Sequence, residues 1–228
     1  MKQKLPTFSL FHREMAMKVY GLPMSTNVAR VLVCLEEAGE QYEVVPIDFS
    51  TAEHKSPEHT SRNPFGQVPA LQDGDLILFE SRAISKYVLR KNNSELLKEH
   101  NLSDAAKVDV WLEAESHHFN EPMSVVIYQC LILPVYFGGQ SDVKVVEENL
   151  EKLKKTFEVY EQRLCKFKYL AGDFLSLADL SHFPTAYYLL ATPHAAMLDE
   201  FPLVKAWIDG MLARPSVKKV IEMMKATP

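Results

Sequence analysis

The sequence predicts a small α/β domain followed by an all-helical domain. Three observations predict this fold class. Strand-like and helix-like segments alternate over the first part of the chain, in the order β-α-β and then β-β-α. An Asp-Gly pair, which is a strong signal for a tight hairpin, joins the last two of these strands. After residue 103 no strand-like segment follows, and apolar residues recur at helical spacing.

The first three elements are predicted as a strand, a helix and a second strand. Residues 18–20 form a short apolar run, and the helix predicted over residues 27–38 carries apolar side chains every three or four positions before Gly39 stops it. The β-branched residues of segment 42–48 predict a strand. Pro46 suits the edge of a sheet, because proline cannot donate a ladder hydrogen bond. The short connections predict a parallel pair with a right-handed crossover.

A hairpin and a second helix complete the first domain. The polar, proline-containing segment 50–67 is predicted as a long loop, and loops of that length in a compact domain often carry function. Two strands, over residues 68–72 and 76–79, flank the Asp-Gly turn, and a helix follows over residues 81–90. The resulting order is the thioredoxin-like layout, in which hairpin and crossover form one mixed sheet.

The second domain is predicted to be entirely helical. The chain turns polar between residues 92 and 103, so the first domain is assigned to residues 17–92 and the second to residues 103–228. The motif SLAD at residues 176–179 resembles a capping box with Asp in place of Glu, and it predicts the start of a mostly buried helix. Helices are predicted over residues 104–130, 142–166, 177–191, 202–213 and 217–225.

Composition excludes several classes of protein. With 228 residues, 47% of them hydrophobic and 24% charged, the chain has the make-up of a globular protein that can bury a sizeable core. A net charge of −5 argues against nucleic acid as a partner, since nucleic acid calls for a basic face. No apolar run approaches the roughly 20 residues that cross a membrane. We therefore expect neither nucleic acid nor membrane among its partners.

Cysteine usage points to a reducing compartment. The three cysteines are far apart and include no C-x-x-C pair, which fits buried thiols better than a disulfide framework or a metal site. A cytoplasmic location is the prediction. Residues 1–16 contain no apolar core like that of a secretory signal, and they are predicted to be a disordered extension rather than a weak organelle-targeting segment.

Ser25 carries a hydroxyl at the junction between the first predicted strand and the first predicted helix. The segment MSTN places Ser25 at the helix start, where unpaired backbone N–H groups and partial positive charge attract anions. From the sequence alone, Ser25 is either an N-cap of the helix or a hydrogen-bond donor to a negatively charged ligand. These two interpretations stay open at this point.

Several motifs in a fixed order decide the family resemblance. The chain contains MSTNVAR, AEHKSPEH, NPFGQVPAL and FESRAI, and then KYLAGDFLSLADL and ARPSVKK in the helical part. With this architecture, residues 17–228 resemble the glutathione S-transferases, and the plant phi class most closely. The resemblance implies a glutathione transferase that conjugates the glutathione thiolate to hydrophobic electrophiles in xenobiotic detoxification. It also implies glutathione-dependent reduction of organic hydroperoxides as a further activity, glutathione as co-substrate, and no metal.

The resemblance also assigns roles to individual residues. Ser25 matches the catalytic hydroxyl that faces the glutathione sulfur, and Pro69 matches a cis-proline that fixes the turn after Val68. A helix start at Ser81 favours a carboxylate, and Glu80 can hold an ammonium. The glutathione-binding set implied by the resemblance is His54, Lys55 and Gln67 for the glycyl end, Val68 and Pro69 for the cysteinyl part, and Glu80 and Ser81 for the γ-glutamyl part.

The resemblance gives Ser25 the role of a donor. No His or Lys in its motif is placed to activate it as a nucleophile. A hydrogen bond donated to the charged form of a thiol lowers its pKa from about 8.5, and each unit corresponds to about 1.4 kcal/mol. A fall of about two units would ionise most of the bound thiol at neutral pH. The helix start adds to the same effect.

The electrophile site and the dimer contact are likewise implied by the resemblance. The second substrate would bind in a mainly apolar pocket between the domains, lined by Thr26, Phe49, Tyr128 and Ile132. Phe65, in the loop before the hairpin, occupies a position that in the family often inserts into a partner subunit, so a homodimer is expected. The alternative is that Phe65 belongs to the core of its own chain.

Three functions of other classes are alternatives to the transferase: a ligand carrier, a redox protein and a serine hydrolase. A non-catalytic carrier of flavonoids or other hydrophobic ligands would bind glutathione without ionising it. A thioredoxin-like redox protein is disfavoured by Ser25 and by the absence of C-x-x-C, and a serine hydrolase by the absence of a G-x-S-x-G elbow. His117 and His118 lack acidic or cysteine partners at ligand spacing, so no metal site is predicted there.

Overall fold

A four-stranded mixed sheet lies at the centre of the first domain in the computed structural model, which describes residues 16–226. Strand β1 (Met17–Tyr20) pairs in parallel with β2 (Tyr42–Val45) and antiparallel with β3 (Ala70–Asp73), while β4 (Leu76–Phe79) completes the hairpin. The order β2-β1-β3-β4 confirms the predicted parallel pair, the edge position of β2 and the mixed sheet. The extension predicted for residues 1–16 lies, except for residue 16, outside the described residues.

Two of the strands are shorter than predicted. Strand β2 ends at Val45, because Pro46 has no amide hydrogen to extend the ladder. Strand β3 begins at Ala70 rather than at residue 68 for the same reason, since Pro69 precedes it. The Val68–Pro69 peptide bond is cis, as the sequence predicts. The prediction of helices α1 (Thr26–Ala38) and α3 (Ser81–Lys91) is confirmed to within one residue at each end.

The prediction of one long loop over residues 50–67 is wrong. A short 3₁₀ turn, Glu53–Lys55, leads into helix α2 (Pro57–Arg62). The local reason is a good helix start: the Ser56 side chain accepts a hydrogen bond from the amide of His59 at 3.1 Å, and a proline occupies the first turn. This helix holds the segment between β2 and the hairpin against the sheet.

The helical domain begins with one continuous helix that contains two π-helical segments. Helices α4 (Leu102–Ala114), α5 (Glu121–Ile127) and α6 (Leu133–Phe137) run on from one another through the π segments Glu115–Asn120 and Tyr128–Ile132. The helix thus extends beyond the predicted end at residue 130, and Gly138 stops it in a left-handed conformation. Such π segments are frequent at functional sites.

The remaining helices follow the predicted order. The predicted helix over residues 177–191 is divided at Ser181 and His182, because Pro184 has no amide hydrogen to continue the ladder. The capping box at Ser176 is present as predicted, and the buried Asp179 carboxylate accepts from both the amide and the hydroxyl of Ser176. These helices are α7 (Val143–Leu164), α8 (Leu177–Leu180), α9 (Phe183–Leu189), α10 (Pro202–Leu212) and α11 (Pro215–Lys225).

Helix α1 is buried between the sheet and the helical domain. One hydrophobic cluster includes side chains of α1, α3, α4, α8 and α11, so the core is continuous across the boundary between the two domains. Cys34 is fully buried in this cluster, and burial raises the pKa of its thiol to about 12. The expectation of buried thiols is confirmed for Cys34, but it is wrong for Cys165, which is exposed, and Cys130 is only partly buried. Within residues 16–226, no helix is long and apolar enough to cross a membrane.

Candidate active site

Ser25 occupies the N-cap position of α1, but its hydroxyl does not cap the helix. Its backbone amide donates to the carbonyl of Leu22 at 2.9 Å, and its own carbonyl accepts from Ala29 at 2.8 Å. The side chain makes no hydrogen bond to the first turn. Of the two interpretations that the sequence leaves open, the structure therefore favours a hydroxyl that is available to a ligand at the positive end of α1.

The loop that carries Ser25 lies against the residue before the cis-proline. Gly21 has a φ of 146°, and a Cβ built there would lie 3.1 Å from the Cβ of Val68. This approach requires glycine, both for its φ and for the space. Within the described residues, no backbone hydrogen bond occupies the N–H or the C=O of Val68. These groups are free to pair with an extended peptide.

A second helix start lies beside the first. Glu80 precedes α3 with a φ of 71° and a ψ of 107°, a conformation that strains a residue with a side chain. Its carboxylate is exposed and forms no ion pair within residues 16–226. Ser81 is buried, and its hydroxyl accepts a hydrogen bond from Arg30 Nη1 at 2.9 Å. Arg30 thereby joins the start of α3 to helix α1.

Arg30 is the centre of a buried polar network that sequence reasoning missed. Its guanidinium also donates to Asn27 Oδ1 at 2.6 Å and to Asn120 Oδ1 at 3.1 Å. It lies 3.4 Å from Glu115 Oε1, and both side chains are fully buried. Burial, partly offset by the attraction of Glu115, lowers the pKa of Arg30 to about 10, so the group stays charged at neutral pH.

Glu115 connects Arg30 to a second arginine on α3. Arg82 Nε donates to Glu115 Oε2 at 2.7 Å, and Arg82 Nη2 lies 2.6 Å from the same oxygen. Glu115 opens the first π segment of the long helix, so this carboxylate holds the helical domain to the starts of both α1 and α3. The sequence contains a signal for Arg30, which is a charge between Ala29 and Val31 in a largely apolar part of the helix.

The segment predicted to bind a glycyl carboxylate forms one polar corner. Lys55 Nζ donates to the carbonyl of Phe65 at 3.0 Å, which brings the 3₁₀ turn and the loop before the cis-proline together. His54 packs its ring 4.7 Å from that of Phe49, and its Nδ1 is buried without a partner among the described residues. Burial, and then the neighbouring Lys55 and His59, lower the pKa of His54.

The carbonyl of Gln67 is held by two side chains that the sequence did not single out. His59 Nε2 lies 2.8 Å from this oxygen, and Asn63 Nδ2 donates to it at 2.9 Å. Because a carbonyl only accepts, the Nε2 of His59 carries the hydrogen. Both side chains are buried, so they hold the backbone that leads to Val68 in place.

The residues predicted for the electrophile are exposed side chains on several elements. Phe49 is 45% exposed beside His54, and Tyr128 and Ile132 are 42% and 36% exposed on the second π segment. The structure brings the end of this helix to the Ser25 loop, since the hydroxyl of Tyr136 lies 4.0 Å from Met24 Sδ. Thr26 begins α1 next to Ser25. The end of the long helix therefore reaches the loop that carries Ser25.

No cluster of three or more potential metal ligands occurs within residues 16–226. The expectation that His117 lacks acidic partners is wrong, because one helical turn on either side places Glu113 and Glu121 at 3.4 and 3.6 Å from it on an exposed helix face. Phe65 is 64% exposed, so it is not a core residue of its own chain.

Comparison with known proteins assigns the family. Residues 15–90 match the family model for the N-terminal domain of glutathione S-transferases, and residues 119–215 match the model for the C-terminal domain. The chain belongs to the glutathione S-transferase family. A glutathione transferase has to hold an anionic tripeptide and ionise its thiol, and the two helix starts and the polar corner suit the first of these tasks.

Individual relatives agree along nearly the whole length. Glutathione S-transferase 1 of Zea mays is 62% identical over 209 residues, which cover 92% of this chain and 97% of the relative. The probable glutathione S-transferase GSTF2 of Oryza sativa subsp. japonica is 60% identical, with the same coverage. These relatives are plant enzymes, which agrees with the resemblance to the plant phi class.

Two solved structures show what such transferases bind. A maize glutathione S-transferase I in complex with an atrazine glutathione conjugate is 60% identical, with a TM-score of 0.89 and coverage of 94% of this chain and 100% of that one. A glutathione S-transferase-I bound to lactoylglutathione is 61% identical, with a TM-score of 0.88 and coverage of 92% and 100%. The predicted fold class, enzyme class and co-substrate are confirmed.

Proposed function

We propose that this transferase conjugates the thiolate of glutathione to hydrophobic electrophiles, with the Ser25 hydroxyl as donor to the sulfur. The uncommitted hydroxyl at the start of α1 is the observation that supports this role. A donor aimed at a sulfur anion stabilises the anion relative to the thiol and lowers the pKa of the thiol. The thiolate then attacks the electrophilic carbon, and the leaving group departs with the bonding electrons.

The tripeptide would lie along the edge formed by the Ser25 loop, the Val68–Pro69 segment and the start of α3. The γ-glutamyl end carries an ammonium and a carboxylate, which suit the free carboxylate of Glu80 and the helix start at Ser81. The cysteinyl part would pair with the free backbone groups of Val68 and pack against Pro69. The glycyl carboxylate would approach Lys55 and His54, with Gln67 nearby.

The electrophile would bind beside Ser25, among exposed apolar side chains of both domains. These side chains would be Phe49 and the π-segment residues Tyr128 and Ile132, together with Thr26, which follows Ser25 at the start of α1. Because the maize relative holds an atrazine conjugate, we propose activated, herbicide-like aromatic compounds as one substrate class. The same thiolate would reduce an organic hydroperoxide to the alcohol by accepting its oxygen, and a second glutathione would complete the disulfide and release water.

Initial rates with an activated aryl halide test this function against the carrier alternative. An enzyme gives conjugation that rises linearly with protein concentration and saturates in glutathione, and cumene hydroperoxide tests the reductive activity in the same way. A carrier binds both molecules, as calorimetry detects, but leaves the rate at the level of the uncatalysed reaction. That second result would overturn the proposal.

A cytoplasmic location remains a prediction that fluorescent tagging of the full chain would test.

We also propose a homodimer in which Phe65 inserts into the partner subunit. The side chain is exposed at the tip of the loop before the hairpin. A cavity of about 700 Å³ lies between α5 and α7, and its lining combines Trp111, Val125 and Val159 with the charged residues Lys152 and Lys155. An exposed aromatic side chain and a cavity with apolar walls at Trp111 and Val125 on the same chain can fill each other twice in a two-fold dimer.

Phe65→Asp is expected to weaken the dimer by about 100-fold, because it removes an aromatic anchor, the side-chain type typical of an interface hot spot. Analytical ultracentrifugation over a range of concentrations measures the effect. Phe137→Asp is the matched control, since Phe137 is 70% exposed at the end of α6. A Phe65 variant as dimeric as wild type would contradict this arrangement.

A further inference from the structure

The peptide unit between Met24 and Ser25 is held from both sides. Its C=O accepts a hydrogen bond from the hydroxyl of Tyr188 at 2.7 Å, and its N–H donates to the carbonyl of Leu22 at 2.9 Å. A peptide unit is planar, so fixing both of its polar groups fixes the orientation of the plane. The rotation that remains is the φ of Ser25, which is −67°.

Together with φ and χ1 of Ser25, this plane determines where the Ser25 hydroxyl points. The Cα of Ser25 lies in this plane and carries the Cβ, so a tilt of the plane moves the hydroxyl relative to any bound sulfur. The side chain has no other hydrogen bond among residues 16–226 that could hold it. A donor has to lie within hydrogen-bond distance of the developing charge, and a misplacement of about 1 Å reduces its effect strongly.

The surroundings of Tyr188 hold its side chain in place and keep its hydroxyl protonated, so that it can donate this hydrogen bond. Tyr188 belongs to α9 of the helical domain, is partly buried, and packs against the hydrophobic clusters of both cores. Burial, and then the neighbouring Tyr187 and Tyr136, raise the pKa of Tyr188 to about 12, so its hydroxyl remains protonated at neutral pH. Its bond to Met24 joins residues that are 164 positions apart and ties the helical domain to the Ser25 loop.

We propose that Tyr188 is a positioning residue of the transferase site, which orients the Met24–Ser25 peptide and thereby aims the Ser25 hydroxyl at the glutathione sulfur. This inference rests on the proposed role of Ser25. It assigns the helical domain a part in activating glutathione, in addition to supplying the surface for the electrophile.

The test compares wild type with Tyr188→Phe, Ser25→Ala and Tyr187→Phe. Ultraviolet absorbance of the thiolate against pH gives the pKa of bound glutathione, and calorimetry gives its Kd. Tyr187 is the matched control, because its ring lies 5.5 Å from that of Tyr188 and its hydroxyl makes no hydrogen bond within the described residues. Tyr188→Phe keeps the ring, and circular dichroism verifies its fold. Tyr188→Met replaces it if the Phe variant does not fold.

We expect Tyr188→Phe to raise the pKa of bound glutathione by about 0.5 to 1 unit, and to lower kcat/KM about two- to fivefold at pH 6.5 while leaving the Kd within about twofold. Tyr187→Phe should match wild type. If wild type lowers the thiol pKa, Ser25→Ala restores it and Tyr188→Phe leaves it at the wild-type value, then the positioning role is wrong while the role of Ser25 stands. If wild type does not lower the thiol pKa at all, the proposed function fails, and this inference fails with it.

Discussion

Glu115→Gln is expected to lower the free energy of unfolding by about 3 kcal/mol, because it leaves two arginines without their buried counter-charge. Arg30 and Glu115 are fully buried, and Arg82 shares the same carboxylate. Glutamine keeps the shape of the side chain, so the loss reports charge rather than packing. Urea denaturation at neutral pH measures the change.

The same substitution is also expected to weaken glutathione binding. Arg30 donates to Ser81, and Arg82 follows it on α3, so the start of that helix loses its support when the network breaks. Glu113→Gln is the matched control, since Glu113 lies on the same helix with its side chain 67% exposed. A loss of stability as small as that of Glu113→Gln would show that the network contributes nothing beyond solvated charges.

Ser25→Ala is expected to lower kcat/KM roughly 50-fold at pH 6.5, if the hydroxyl depresses the pKa of the bound thiol by about two units. The hydroxyl lowers the pKa because it stabilises the thiolate, which is the charged form of the thiol. A depressed pKa leaves the thiol ionised near neutrality, and without the donor it ionises only near its ordinary value. The difference between variant and wild type should therefore shrink above about pH 9.

The control for this substitution is Ser124→Ala, an exposed serine on α5. Steady-state rates from pH 6 to pH 9.5 with an activated aryl halide provide the measurement. Equal loss at every pH would show that Ser25 contributes to binding or structure rather than to ionisation of the thiol.

Local signals account for the part of the fold that the sequence predicts. The Asp-Gly turn, the Gly39 stop and the capping box at Ser176 each act within a few residues, and the structure contains all three. The π segments and the continuation of the long helix to Phe137 have no comparable local signal, because packing against other elements decides them. Helix α2 did have a local signal, at Ser56 and Pro57, but the polar composition of the segment hid it.

The residues of the candidate site also fall into two groups, those that the sequence identifies and those that only the structure reveals. Ser25, Val68 and Ser81 stand at turns and helix starts that motifs identify, whereas the residues that support them come from distant parts of the chain. Glu115 reaches Arg30 across 85 positions, and Tyr188 reaches Met24 across 164. A single sequence carries no record of such long-range pairs, so side chains that hold the site in place were found only in the structure.

The most direct test of the central claim is the pKa of glutathione bound to wild type and to Ser25→Ala, read from thiolate absorbance as a function of pH. We predict that wild type lowers the pKa of the thiol by about two units, and that the variant still binds glutathione but restores the pKa to near 8.5. A wild-type protein that binds glutathione without shifting the pKa of its thiol would contradict the account.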